Sequence, residues 1–269
     1  MGWLAQLVAV FKQPPYPATL LPYPKLRNFI LDVMAEGRRK HTINLLFEAD
    51  LKPIRQQITA LDERVSMTAF IAHALAATVD EDKTMHAYRK GKSKRVVFDD
   101  VDLAIMVERD IDGDSMPISA IVRGANRKNT VEVNRELQAA KTAELGQSGP
   151  LSALEKTFFE LPTPLRKLIW FVIRHDPYLF KQVAGTVGVT AMGMHAAGPA
   201  VLIPITPMTL TLSIGAISTR LVLEHGVPVE RDILQMNLGA DHDLIDGAPL
   251  MRFAERFKQK LQLEQPHLL

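Results

Sequence analysis

The chain has eight histidines and no cysteine, so imidazole is its means of moving protons near neutral pH. His73 lies in an apolar helical run and reads as structural. His175, His195 and His225 sit near turn residues, and His267 is in the C-terminal tail. His41 opens a predicted strand and His86 sits by a predicted turn; either could line a cleft, but nothing local requires it. His242 is different. It lies in GADHDLIDGAP, between a predicted strand and a predicted helix, with Asp241 beside it, Asp246 four residues on, and Gly247 to permit a tight turn. A positioned imidazole with a carboxylate neighbour suits a general base. The same grouping also serves as a structural hydrogen-bonded pair, and the local residues alone leave both readings open.

The missing residue types narrow the chemistry. Without cysteine there is no disulfide framework, thiolate metal site or cysteine nucleophile, so any thiol must come from a substrate. No H-E-x-x-H, G-x-S-x-G, Walker loop or strand-linked G-x-G-x-x-G is present, and no metal site is expected. Gly185, Gly188 and Gly193 have the wrong spacing for a dinucleotide loop. The 269 residues are 47% hydrophobic, enough for one large core or two small ones. A formal charge of +2 gives no global field that would favour nucleic acid. Residues 1–11, MGWLAQLVAVF, are too short to span a membrane and carry no cleavage signal, so a cytoplasmic protein is expected.

The elements that would position these residues are helices and strands without strict alternation, which implies an α+β fold. Prolines at 14, 15, 17, 22 and 24 make residues 1–24 an extended arm. Helices are predicted over Lys25–Glu36, Leu51–Leu61, Met67–Val79, Thr130–Glu144 and Gly247–Leu263, the last with Leu250, Phe253, Phe257 and Leu261 inward. Strands are predicted at His41–Ala49, Arg95–Phe98, Val101–Glu108, Pro117–Arg123, Thr186–Ala191, Thr209–Ile217, Leu221–Glu224 and Asp232–Leu238. Residues 146–184 differ in character, with helical pieces around Leu151–Glu160 and Pro164–Ile173.

The segment DHDLIDGAPLMRFAERFKQKL resembles the C-terminal signature of the dihydrolipoamide acyltransferase catalytic domain of 2-oxo acid dehydrogenase complexes. That signature is D-H-R-x-x-D-G-A followed by an amphipathic helix, and its H-x-x-x-D-G core is shared with chloramphenicol acetyltransferase. Further matches keep the family's order. KLRNFILDVMAE, with Arg27, resembles its first helix, and HTINLLFEADLKPI resembles P-H-V-T-L-x-x-E-x-D-V-T-x-L. ANRKNTVEVNRELQ resembles the entry into a helix from paired strands. GTVGVTAMGM resembles G-T-F-T-I-S-N-L-G-M, and LSIGAI resembles I-L-A-V-G-A-I. The resemblance runs from about Pro24 to Leu263. It implies a chloramphenicol acetyltransferase-like mixed sheet flanked by helices, with residues 1–24 as an arm, residues 25–269 as the catalytic domain, and an extra helical segment at 146–184. It also implies a homotrimer, with assembly into a larger cage left open, and an active site between subunits reached by coenzyme A and dihydrolipoamide.

By that resemblance His242 is the general base, the hydroxyl of Thr190 stands where the family's serine stabilises an oxyanion, and Asp246 holds the loop through Arg27. Gly247 serves backbone geometry. Coenzyme A or acyl-CoA is the expected substrate, with no lipoyl group on this chain and a separate lipoyl-bearing protein as partner. Asp243 replaces the family's Arg, Ala191 replaces an Asn, and residues 1–24 are too few for the domains that precede the family's catalytic unit. A catalytically inactive trimeric scaffold or assembly protein of the same fold is the alternative. The apolar residues of 1–11 and 146–184 are expected to pack on protein beside the acyl-transfer channel. Docking on a membrane surface through Arg166, Lys167, Trp170 and Arg174 is the less favoured reading.

Overall fold

Apolar residues alternate with polar ones along the first strand, where Ile43, Leu45, Phe47 and Ala49 turn inward. That alternation defines one greasy face, and the fold is built to cover it. The computed structural model describes residues 17–21, 23, 27–61, 63–111, 114–142, 158, 161–191 and 198–262. Helix α1 (Arg27–Gly37) precedes strand β1 (Thr42–Asp50), and helices α2 (Leu51–Thr59) and α3 (Met67–Glu81) follow. Two short strands, β2 (Tyr88–Lys90) and β3 (Lys94–Val96), pair as a separate hairpin. Then come β4 (Leu103–Ile111), β5 (Asp114–Val122), and helices α4 (Thr130–Thr142), α5 (Thr163–His175) and α6 (Pro177–Ala184). The chain ends its described course with β6 (Val187–Thr190), β7 (Leu210–Glu224), β8 (Val227–Asp241) and α7 (Gly247–Gln262).

Six strands form one mixed sheet in the order β1-β8-β7-β6-β4-β5, with β6 parallel to both of its neighbours and the other pairs antiparallel. Side-chain caps set the helix starts. Asp50 accepts from Lys52 N, so β1 turns directly into α2. Ser66 accepts from Ala69 N ahead of α3, and Asn129 and Glu132 bond each other's backbone N–H in a capping box at α4. The inner sheet face packs on α3, α4 and α7, and Phe70, Phe253 and Phe257 are its largest fully buried side chains. As expected, Leu250, Phe253, Phe257 and Leu261 of α7 point inward.

A second cluster of Tyr88, Phe98, Trp170, Ile173 and Phe180 joins α5, α6 and the β2–β3 hairpin, with Phe29 and Val33 of α1 packed against it. Helix α5 thus packs on its own chain. Arg166 and Trp170, which the less favoured reading places at a membrane face, are buried, and Arg174 pairs with Glu36. The expected arm at 1–11 and the expected helix at 151–160 lie outside the described residues, apart from Phe158. The structure also merges the two strands expected over 209–224 into β7. Polar residues at 218–220 look like a break, but Thr219 and Arg220 are exposed on a ribbon whose His225–Gly226 turn is left-handed at both positions, the geometry of a tight hairpin.

Below β4 and β6 lies a buried polar knot. His86 is fully buried, with Nε2 bonded to Phe98 O at 3.0 Å and Nδ1 facing Thr186 Oγ1 at 3.0 Å. Burial lowers the His86 pKa from 6.5 to about 4. Between those values the unfolded chain takes up a proton that the native protein refuses, so stability is full above pH 6.5 and falls as pH drops toward 4. The loss is on the order of 3 kcal/mol. Replacing His86 with Gln, which does not titrate, should flatten this part of the urea-stability profile. A profile as steep as that of the wild type would show that other groups set the acid limb.

Candidate active site

Strand β8 ends in a buried carboxylate. Asp241 is 2% exposed and receives Lys40 Nζ at 2.6 Å and Asp243 N at 3.2 Å. Its carbonyl accepts from Leu244 N and Ile245 N, both at 3.0 Å, which coils the following residues into a tight turn. His242 N donates to His41 O at 2.8 Å, carrying the β1–β8 ladder one step past the strands. Asp243, in the position where the resemblance places an arginine, pairs with His41 Nδ1 at 2.9 Å. Buried Ile245 anchors the turn in the core. The backbone around His242 is therefore fixed on both sides, while its ring stays about half exposed (46%).

His242 Nδ1 lies 3.6 Å from Asp246 Oδ1, in ion-pair range but long for a hydrogen bond. This leaves Nε2 as the nitrogen not engaged by that carboxylate. Two expectations need correction. Asp246 is 82% exposed, and among the described residues Arg27 pairs with no carboxylate. A hydrated carboxylate has no need of a guanidinium partner, and α1 uses its own charges on α5 through Asp32–Arg166 and Glu36–Arg174. Gly247 does not have a positive φ, and a Cβ there would meet nothing within 4 Å. Neither space nor backbone conformation demands glycine at that position in the single chain.

Thr190 ends β6 and is 8% exposed. It aligns with Ser213 on β7, which aligns with Asn237 on β8. His242 lies five positions beyond Asn237, at the far end of the sheet. Strand geometry separates the two residues by roughly 17 Å along the strands and about 10 Å across them. The structure thus brings His242, Asp246 and Gly247 together, places Thr190 apart from them, and leaves Arg27 on α1.

Of the other histidines, His73 and His86 are buried, the former facing Thr130 Oγ1 at 2.8 Å. Among the described residues no group of three or more His, Asp or Glu side chains gathers as a metal-ligand set would. A cleft of about 460 Å³ between the end of α2 and the start of α4 is lined by Glu63, Glu132 and Arg135 and touches none of the candidate residues. Sequence reasoning missed Lys40, and it left His41 as a residue that could line a cleft without assigning it a partner. The available signal was a pair of basic or titratable residues opening β1, opposite a motif with Asp on both sides of its histidine.

Lys40→Met should cost about 3 kcal/mol of stability by leaving Asp241 buried without its cation. Lys40→Arg should recover part of it. Denaturant titration of the two variants checks this, and a loss below about 1 kcal/mol would show the pair to be unimportant.

Residues 181–269 match the family model described as 2-oxoacid dehydrogenases acyltransferase (catalytic domain). The chain is 23% identical over 200 residues to the dihydrolipoyllysine-residue acetyltransferase component of the pyruvate dehydrogenase complex of Rickettsia prowazekii. That match covers 74% of this chain and 41% of the relative's length. The fold is similar to the crystal structure of a probable dihydrolipoamide acetyltransferase from Listeria monocytogenes, with a TM-score of 0.65, 16% identity, and coverage of 91% of this chain and 94% of that one. It is equally similar to a dihydrolipoamide acetyltransferase from Azotobacter vinelandii studied for the role of a serine, a histidine and an asparagine in its catalytic mechanism. There the TM-score is 0.65 and the identity 14%, over 93% of this chain and 97% of that one. Residues 181–269 of this chain thus match the catalytic-domain model of 2-oxoacid dehydrogenase acyltransferases, and the chain has the fold of those two structures.

Proposed function

We propose that this chain is an acyltransferase that moves an acyl group between coenzyme A and a thiol of the dihydrolipoamide kind. The observation that carries the reading is a half-exposed His242 on a rigidly held backbone, with Nδ1 toward Asp246. Nε2 takes the proton of the incoming thiol as its sulfur attacks the thioester carbonyl. The carbonyl oxygen becomes an oxyanion. Its collapse breaks the old carbon–sulfur bond, and the imidazolium returns the proton to the departing thiolate. Thr190 donates its hydroxyl to the oxyanion. Asp246 favours the imidazolium while it exists.

The separation of Thr190 and His242 within one chain supports a site formed where two copies meet. A homotrimer supplies such meeting places, with Thr190 of one copy facing His242 of the next. The lipoyl group arrives on a separate protein. The A. vinelandii relative supports the pairing, since a serine and a histidine are studied together in its mechanism.

His242→Ala and Thr190→Val should each lower acyl exchange between acyl-CoA and a small dithiol at least about a hundredfold. Co-expression of the two variants should restore part of the activity, because some interfaces then combine an intact Thr190 with an intact His242. A mixed oligomer of normal mass without recovered activity would place the site elsewhere.

A further inference from the structure

Helix α5 is apolar on both of its faces. Arg166, Trp170 and Ile173 are buried, and Arg166 and Arg174 bind Asp32 and Glu36 of α1. On the opposite side Leu165, Leu168, Phe171 and Val172 stand 49–61% exposed. They fall on one arc of the helix, three or four residues apart. Contiguous exposed apolar patches mark interaction surfaces. Tyr178, in the first turn of the next helix α6, is also 56% exposed.

Lys90 Nζ sits 4.8 Å over the Tyr178 ring and ties α6 to the β2–β3 hairpin, which shares a buried cluster with α5. The hairpin carries Arg89, Lys90, Lys92, Lys94 and Arg95, all exposed, and no acidic residue from Tyr88 to Val97. None of the five forms an ion pair among the described residues. The arginines that bury against the fold behave differently, since Arg123, Arg166 and Arg174 each have a carboxylate. Five like charges in seven residues repel one another unless an anionic surface lies opposite them.

We propose that the outer face of α5, Tyr178 and the β2–β3 hairpin together form a docking surface for an anionic lipid bilayer. The apolar arc would enter the boundary between headgroups and acyl chains, and the cations would lie over anionic headgroups. Tyr178 sits between the two parts, an amphipathic ring suited to the level where water meets hydrocarbon. Charge complementarity selects this occupant. An apolar partner alone would leave the hairpin uncompensated, and a soluble polyanion would leave the α5 arc uncovered. The residues differ from those that the sequence suggested for a membrane face, because Arg166 and Trp170 are buried. The proposal is independent of the acyl-transfer reading.

Vesicle flotation with the full chain tests it. The protein should float with phosphatidylcholine vesicles containing phosphatidylglycerol, release as salt rises, and stay behind with phosphatidylcholine alone. The double variant Lys92→Glu, Lys94→Glu should weaken binding at least about tenfold, since each cation near an anionic leaflet contributes a severalfold gain in partitioning. Leu168→Ser should weaken it too, with mass by light scattering unchanged. All of these positions are exposed, so the variants keep the fold. Absence of flotation with anionic vesicles would overturn the proposal, as would equal binding by the charge-reversed hairpin. A drop in oligomeric mass in Leu168→Ser would also overturn it, by showing that a second copy covers α5.

Discussion

The carboxylate of Asp241 is buried at the end of the central antiparallel pair, and the arrangement around His242 depends on it. Burying a charge this deeply is unfavourable unless a cation and hydrogen bonds answer it. Lys40 and the backbone N–H of Asp243 do so. The first tethers the start of β1, and the second curls the chain after β8. Between those two contacts His242 has little backbone freedom, and its ring is held out to solvent without support from the core. Rigidity in the backbone and access at the ring come from the same buried group.

The polar knot of His86, Thr186 and Asp102 plays the corresponding role at the start of β6. Burial opposes the charge of Asp102, but Gly124 N, Arg123 and Lys181 outweigh it and hold the carboxyl below its ordinary range. Thr186, whose Oγ1 accepts from Asp102 N in this network, immediately precedes β6 and lies four residues before Thr190. Each end of the sheet therefore has its own charged anchor, and each anchor precedes one of the candidate residues. The proposed site between copies calls for two edges that are separately stiff, because neither can rely on the other until the copies meet.

Much of this was legible in the sequence where the signal was local. The strand, turn and helix around His242 could be read from a short motif and from the spacing of Leu250, Phe253, Phe257 and Leu261. Strand β1 could be read from its alternation. What could not be read depends on register. Nothing local reveals that Thr190 aligns with Asn237 rather than with His242, since that follows from how β6, β7 and β8 slide past one another. Strand β2 escaped notice because three residues, two of them cations, carry no period. The Arg27–Asp246 pairing rested on the assumption that the carboxylate is buried, and exposure removes the need for it. Lys40 could not be matched to Asp241 from spacing when 201 positions separate them.

That separation also governs how the molecule comes into being. The β1–β8 ladder joins Thr42 to Asp241, so β1 leaves the ribosome long before its partner exists. Pairings of such high contact order form late, and the earlier strand waits with its backbone donors and acceptors unmatched. During synthesis β1 is thus an open edge with Ile43, Leu45 and Phe47 on one side, the kind of segment that pairs with the wrong chain. The contacts that hold His242 in place close only after β8 has been made, so the turn around this histidine forms later than the helices and strands between β1 and β8.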